Sequence, residues 1–233
     1  MIIFWRLLFG HLLADFTFQF NVVNRWKRSS LWGMLLHCAT HPVFYLWFTW
    51  PYINEVWVEL PGVAGLRGWG CILIVFALHF IEDQWRVFTI FRYRTPDNTL
   101  YFLWDQFIHY AVIFLVIPHG GAAELMPETW PVLGCLFVFV THASTVLIYF
   151  IEKDLYDREF PGTQEKYFMM AERLVLAGCM LIPGLAWPAL GAAWLGVMYY
   201  VRKRRLMDVS WFSLWSGAAV AVLCGLAARM IYY

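Results

Sequence analysis

Apolar runs close to the ~20 residues that cross a bilayer recur from one end of this sequence to the other, separated only by short polar stretches. Such a chain has few folds open to it, because a backbone in hydrocarbon must satisfy its own hydrogen bonds, and helices do so segment by segment. Composition agrees: 61% of the 233 residues are hydrophobic and 14% are charged, where a soluble domain carries about 25% charge. The expected fold class is all-α, a polytopic transmembrane helical bundle. It forms one integral membrane domain over 1–233, with a site-bearing four-helix half at 1–117 and supporting helices at 131–233. The opening MIIFWRLLFGHLLADF lacks a basic n-region and a small-residue cleavage site, and is expected to stay as the first helix.

Apolar length and turn signals place about eight spans, near 1–20, 31–51, 70–91, 99–117, 131–151, 167–183, 186–201 and 209–229. The segment IPGLAWP between the sixth and seventh allows a tight hairpin or a re-entrant pair. Arg25, Lys27, Arg28, Arg92, Arg94, Lys153, Arg158, Lys166 and the run 202–205 all fall in alternate loops. The opposite loops hold Arg67 with Glu55, Glu59, Glu124 and Glu128. Positive charge stays on the cytoplasmic side, so both termini are expected on the other side.

Ionisable side chains inside such spans are costly and face the bundle interior with partners. The first four spans carry His11 and Asp15, His37 and His41, His79 and Asp83, and Asp105 and His109, each pair spaced i, i+4. That spacing stacks both side chains on one helix face. His precedes Asp in spans one and three and follows it in span four, the reversal an antiparallel bundle needs to bring like residues into register. These eight residues are the candidate metal ligands. Imidazole with carboxylate suits zinc first, with iron or manganese as alternatives, for one or two divalent ions. Gln19, Asn24, Glu82 and Gln106 are candidates to orient ligands, and Asp15, Asp105 and Arg86 are candidates for catalysis. The competing reading is a closed His and Asp hydrogen-bond network with Arg86 as counter-charge.

Other features carry less. The five cysteines stand singly in apolar runs and read as small core residues. His142 reads as a partner in interhelical hydrogen bonds, and His119 as a solvated loop residue. Glu172 and Arg173 read as an ion pair or a lipid-facing anchor. Pro42 directly after His41 kinks its helix and frees a carbonyl. HCATH at 37–41 resembles the first histidine box of membrane desaturases, but the HxxHH boxes that accompany it are absent. With a net charge of +1 and no basic face, no nucleic-acid partner is expected. No nucleotide-binding glycine fingerprint is present.

GHLLADFTFQ at 10–19, HFIEDQWR at 79–86, DQFIHY at 105–110 and ER at 172–173 resemble the uncharacterised bacterial membrane proteins grouped as domain of unknown function 3307. The resemblance implies a multi-pass protein of the bacterial inner (cytoplasmic) membrane and supplies no activity. Arg86 stands where the family pattern implies lysine. The residues themselves point to an intramembrane metal-dependent hydrolase acting on a lipid-linked or amphiphilic substrate at the inner leaflet, with membrane lipids as its surroundings. An oxidative reaction is the expectation if the metal is iron. The alternatives are a metal-ion or proton-coupled transporter, and a non-catalytic, haem-binding subunit of a membrane complex.

Overall fold

A computed structural model describes all residues except 60–64, 119–124 and 208. His119 and Glu124 therefore lie outside the described residues. The chain is predominantly helical, as expected, but the helices do not by themselves bear out eight membrane spans: α1 (Ile2–Leu12), α2 (Asn21–Ser29), α3 (Leu31–Thr49), α4 (Gly68–Arg92), α5 (Thr99–Leu115), α6 (Thr129–Val138), α7 (Ser144–Tyr156), α8 (Thr163–Met180), α9 (Trp187–Lys203) and α10 (Trp211–Tyr232). The exception to the all-α expectation is a small antiparallel pair, β1 (Val56–Val58) and β2 (Leu66–Arg67), with Val56 opposite Arg67 and Val58 opposite Leu66.

Two helical segments are long and apolar enough to cross a membrane, Thr129–Tyr156 with 28 residues and Trp211–Tyr232 with 22, and Thr99–Leu115 is a shorter apolar helix. Among the described residues, α1, α5 and α9 fall short in length, and α3 and α4 for a chemical reason. α4 carries Glu82, Asp83 and Arg86 at its centre, and α3 spends its length on His37, His41, Thr40 and aromatic residues.

The chain divides into two compact units, Met1–Cys135 and Leu136–Tyr233. In the first, α1, α3, α4 and α5 surround a buried apolar cluster of Ile3, Leu7, Tyr45, Cys71, Val75 and Ile113, under Trp57 from β1. α1 and α3 approach closely at Gly10, where an added Cβ would stand 3.1 Å from Tyr45 and 3.2 Å from Phe44. Helix α3 begins at a serine cap: the Gly33 N–H donates to Ser30 Oγ at 3.0 Å, satisfying one of the free donors of the first turn. Pro42 sits within α3, one residue beyond His41, as the sequence requires.

The second unit packs α8 against α9 and α10 around Val140, Leu176, Met180, Ala221 and Cys224. Glu172 and Arg173 are buried here rather than lipid-facing, and no ion pair joins them among the described residues. Arg173 instead donates to the carbonyls of Met169 (3.0 Å) and Thr141 (3.2 Å) and to Thr145 Oγ1. Thr141 lies in a π-helical turn, Phe139–Ala143, between α6 and α7. His142, expected to bond across helices, has its ring Nδ1 3.1 Å from Thr141 Oγ1, its neighbour in the same turn.

Candidate metal centre

The first unit brings the eight sequence-derived residues into one buried cluster. From α1 come His11 and, in the π-helical turn Leu13–Thr17, Asp15. The Phe18 N–H reaches back five residues to the Leu13 carbonyl at 2.8 Å, which widens the helix by one residue where Asp15 leaves it. α3 contributes His37 and His41, α4 His79 and Asp83, and α5 Asp105 and His109. Each of these residues is buried.

Their polar atoms converge. Asp15 Oδ1 lies 3.1 Å from His37 Nε2, 3.3 Å from His41 Nε2 and 3.8 Å from His79 Nε2. These separations are short, yet none has hydrogen-bond geometry: Asp15 Oδ1 and the Nε2 atoms of His37, His41 and His79 are all buried without a hydrogen-bond partner. A closed network would leave no such atoms, since a buried polar group without a partner costs about 1–3 kcal/mol. Four ligands held at about 2.0–2.1 Å around a tetrahedral ion stand about 3.3–3.4 Å apart, close to the two shorter histidine separations. The donor set of one carboxylate and three imidazoles therefore fits a divalent metal ion.

A second group, Asp83, Asp105 and His109, is equally buried but more widely spaced. His109 Nε2 lies 3.8 Å from Asp105 Oδ1 and 3.9 Å from Asp83 Oδ1. Asp83 Oδ2 is also 3.2 Å from His37 Nε2 and 3.3 Å from His79 Nε2, so the two groups are contiguous. The rings confirm the contact: His41 and His79 have centroids 3.9 Å apart, and His79 and His109 4.1 Å. Cys38 with His79 and Asp83 completes a third possible grouping, a thiol the sequence reading assigned to the core.

The remaining candidates divide. Gln106 is a positioning residue: its Nε2 donates to Asp15 Oδ2 and to Asp105 Oδ2, each at 3.2 Å, and its Oε1 is 3.4 Å from His11 Nε2. His11 thus directs its Nε2 at Gln106 and Asp15 Oδ2, while its ring packs beside those of His41 and His79. Gln19 accepts from Lys27 at 3.5 Å. Among the described residues, no side-chain hydrogen bond joins Asn24 or Glu82 to the cluster.

Two residues absent from the sequence-derived set close the cluster. Lys27, on α2, places its Nζ 2.8 Å from Asp83 Oδ2. Burial opposes its charge, but the carboxylates of Asp83, Asp15 and Asp105 outweigh that and hold its pKa above the ordinary lysine value. Asp97, just before α5, accepts from Arg28 at 2.7 Å and from Arg86 at 3.0 Å, while Arg86 also donates to Asp105 Oδ2 at 2.9 Å. Burial would raise the Asp97 pKa, and the two guanidinium groups more than reverse that. Arg86 thus does act as a counter-charge, but to the edge of the cluster and not to its centre.

The cluster lies within the part of the chain that defines its family. The family described as "Protein of unknown function (DUF3307)" matches residues 3–128 of the 233, more than half of the chain, and the chain belongs to it. Comparison with curated proteins and with solved structures returned no match.

Proposed function

We propose that this chain is a multi-pass inner-membrane metalloprotein that uses its His and Asp cluster as a metal-dependent hydrolase on a lipid-linked or amphiphilic substrate at the inner leaflet. The observation that carries the metal reading is the convergence of four partnerless buried atoms, Asp15 Oδ1 and the Nε2 atoms of His37, His41 and His79. The membrane reading rests on surface chemistry. Trp47, Leu73 and Phe107 on α3, α4 and α5 have half or more of their surface exposed, as do Val197, Leu223 and Met230 in the second unit. Exposed apolar area on this scale calls for an apolar surrounding. Eight crossings, with basic loops on the cytoplasmic side, accommodate every helix except the short α2.

In this reading Asp15, His37, His41 and His79 hold the ion. When bound, a divalent ion supplies Lewis-acid activation of water and of the scissile group. Asp105 Oδ1, buried and without a partner, is placed to accept a proton, while Arg86 fixes the other oxygen of the same carboxylate. Gln106 orients Asp15 and Asp105 together, and Lys27 and Arg86 supply positive charge toward an anionic substrate group. Transport ranks below hydrolysis because the layer beyond the cluster in α1, α3, α4 and α5 is mostly apolar, built of Leu7, Val75 and Ile113 with the ring of Tyr45, and the charged Arg6 beyond it is tied to Glu128.

The test is turnover of a mixed phospholipid and lipid-diphosphate panel by the purified protein in nanodiscs, metal-stripped and then reloaded with zinc. Hydrolysis restored by zinc and absent from His79→Ala supports the reading. Zinc flux into liposomes without turnover overturns it in favour of a carrier.

A further inference from the structure

We infer that Lys27 occupies the place of a second metal ion, so that the cluster takes one ion, in the pocket of Asp15, His37, His41 and His79, and not two. The inference rests on the metal reading proposed above. Eight donor residues on four helices are enough for a dinuclear centre, and in such centres carboxylates lie between two ions about 3.5–4 Å apart. Asp83 is the residue in that bridging position here, within 3.2–3.3 Å of His37 and His79 on one side and 3.9 Å from His109 on the other. Its Oδ2 already faces a cation, the Lys27 ammonium at 2.8 Å. The other carboxylate of the second group, Asp105, has one oxygen taken by Arg86 and Gln106.

Charge points the same way. Asp15, Asp83, Asp97 and Asp105 face Lys27, Arg28 and Arg86, which leaves one negative charge with neutral imidazoles, or two with half-buried Glu82. One divalent ion brings this set near neutrality. A second would leave several uncompensated positive charges in a buried site, with a lysine in contact with one of its ligands.

The position of Lys27 is built into the fold. α2 is a nine-residue helix between α1 and α3, and it is seated through Trp26, whose backbone closes on Gly33 so tightly that a Cβ at 33 would stand 2.4 Å from the Trp26 carbonyl. Val22 and Trp26 are exposed on the same helix that delivers Lys27 inward. Gln19 accepts a further hydrogen bond from the ammonium at 3.5 Å. Lysine at this position is thus held from both the helix and the cluster, as a fixed ligand-side charge and not as a mobile surface residue.

The experiment is a zinc titration of the full-length protein in detergent, with bound metal read by elemental analysis, for wild type, Lys27→Met and Lys27→Arg. The expected result is one ion per chain for wild type and for Lys27→Arg. Lys27→Met is expected to bind a second ion at least tenfold more tightly than wild type does, so that two ions per chain are retained. Two ions in wild type, or one ion in both substituted proteins, overturns the inference while leaving the metal reading intact. No stoichiometric ion in wild type overturns both.

Discussion

Replacing Asp15 by asparagine separates metal binding from folding. The side chain keeps its shape, and the new amide can donate to the histidine nitrogens that now lack partners at 3.1 and 3.3 Å, so the metal-free fold should melt close to wild type. The ion, however, loses its one carboxylate ligand in the three-histidine pocket. Disturbing the outer partners of a metal site costs 10–100-fold in affinity, so loss of a direct ligand is set at about 100-fold or more. Wild type at a free zinc concentration 100 times its Kd gains about 2.7 kcal/mol, which for a chain of this length is a Tm rise of about 5–11 °C. At the same zinc concentration the variant sits near its own Kd and gains about 0.4 kcal/mol, a rise of about 1–2 °C. Scanning fluorimetry in detergent, with and without a chelator, reads both numbers. An equal zinc-induced rise in wild type and Asp15→Asn would refute the assignment of Asp15 as a ligand.

Further expectations follow from packing and charge. Gly33→Ala drives a Cβ into the Trp26 backbone, so α2 must shift, and overpacking of this kind costs about 1–3 kcal/mol by thermal melt; an unchanged Tm would contradict the tight α2 seat. Arg6 holds Glu128 in a bidentate pair at 2.6 and 2.7 Å, which lowers the Glu128 pKa. A depressed carboxylate contributes stability above its unfolded pKa of about 4.3 and loses it as pH falls through its folded value. Glu128→Gln should therefore be less stable than wild type at pH 7, with the difference shrinking below about pH 4; a difference independent of pH would show that the pair contributes no charge-linked stability.

Much of the arrangement was legible in the sequence, for definite reasons. Apolar length marked the helices, and the i, i+4 spacing in four successive segments marked the cluster, because both signals are local. His11 shows where locality ends: it shares the spacing of the other pairs, yet the widened turn at Leu13–Thr17 turns Asp15 to the three histidines and leaves His11 on Gln106. A π-helical turn leaves no mark in a 3.6-residue pattern. Lys27 was read as one charge among several in a cytoplasmic loop, and its contact with Asp83, far along the chain, depends on the tight seating of Trp26 on Gly33. Asp97, between Pro96 and the helix-capping Asn98, has no periodic partner in the sequence that would single it out, and only the fold brings Arg28 and Arg86 together on it. Glu172 and Arg173 were misread for a similar reason: adjacent opposite charges suggest a pair, but successive helical residues point apart, and Arg173 finds partners at Thr141 in the neighbouring π-helical turn and at Thr145 in α7.

The most direct measurement is X-ray absorption at the zinc edge on the zinc-loaded, full-length protein. One ion per chain, with three imidazole nitrogens and one carboxylate oxygen at about 2.0–2.2 Å, is the predicted first shell. No stoichiometric zinc, or a first shell dominated by sulfur, would contradict the assignment of Asp15, His37, His41 and His79 as the metal centre.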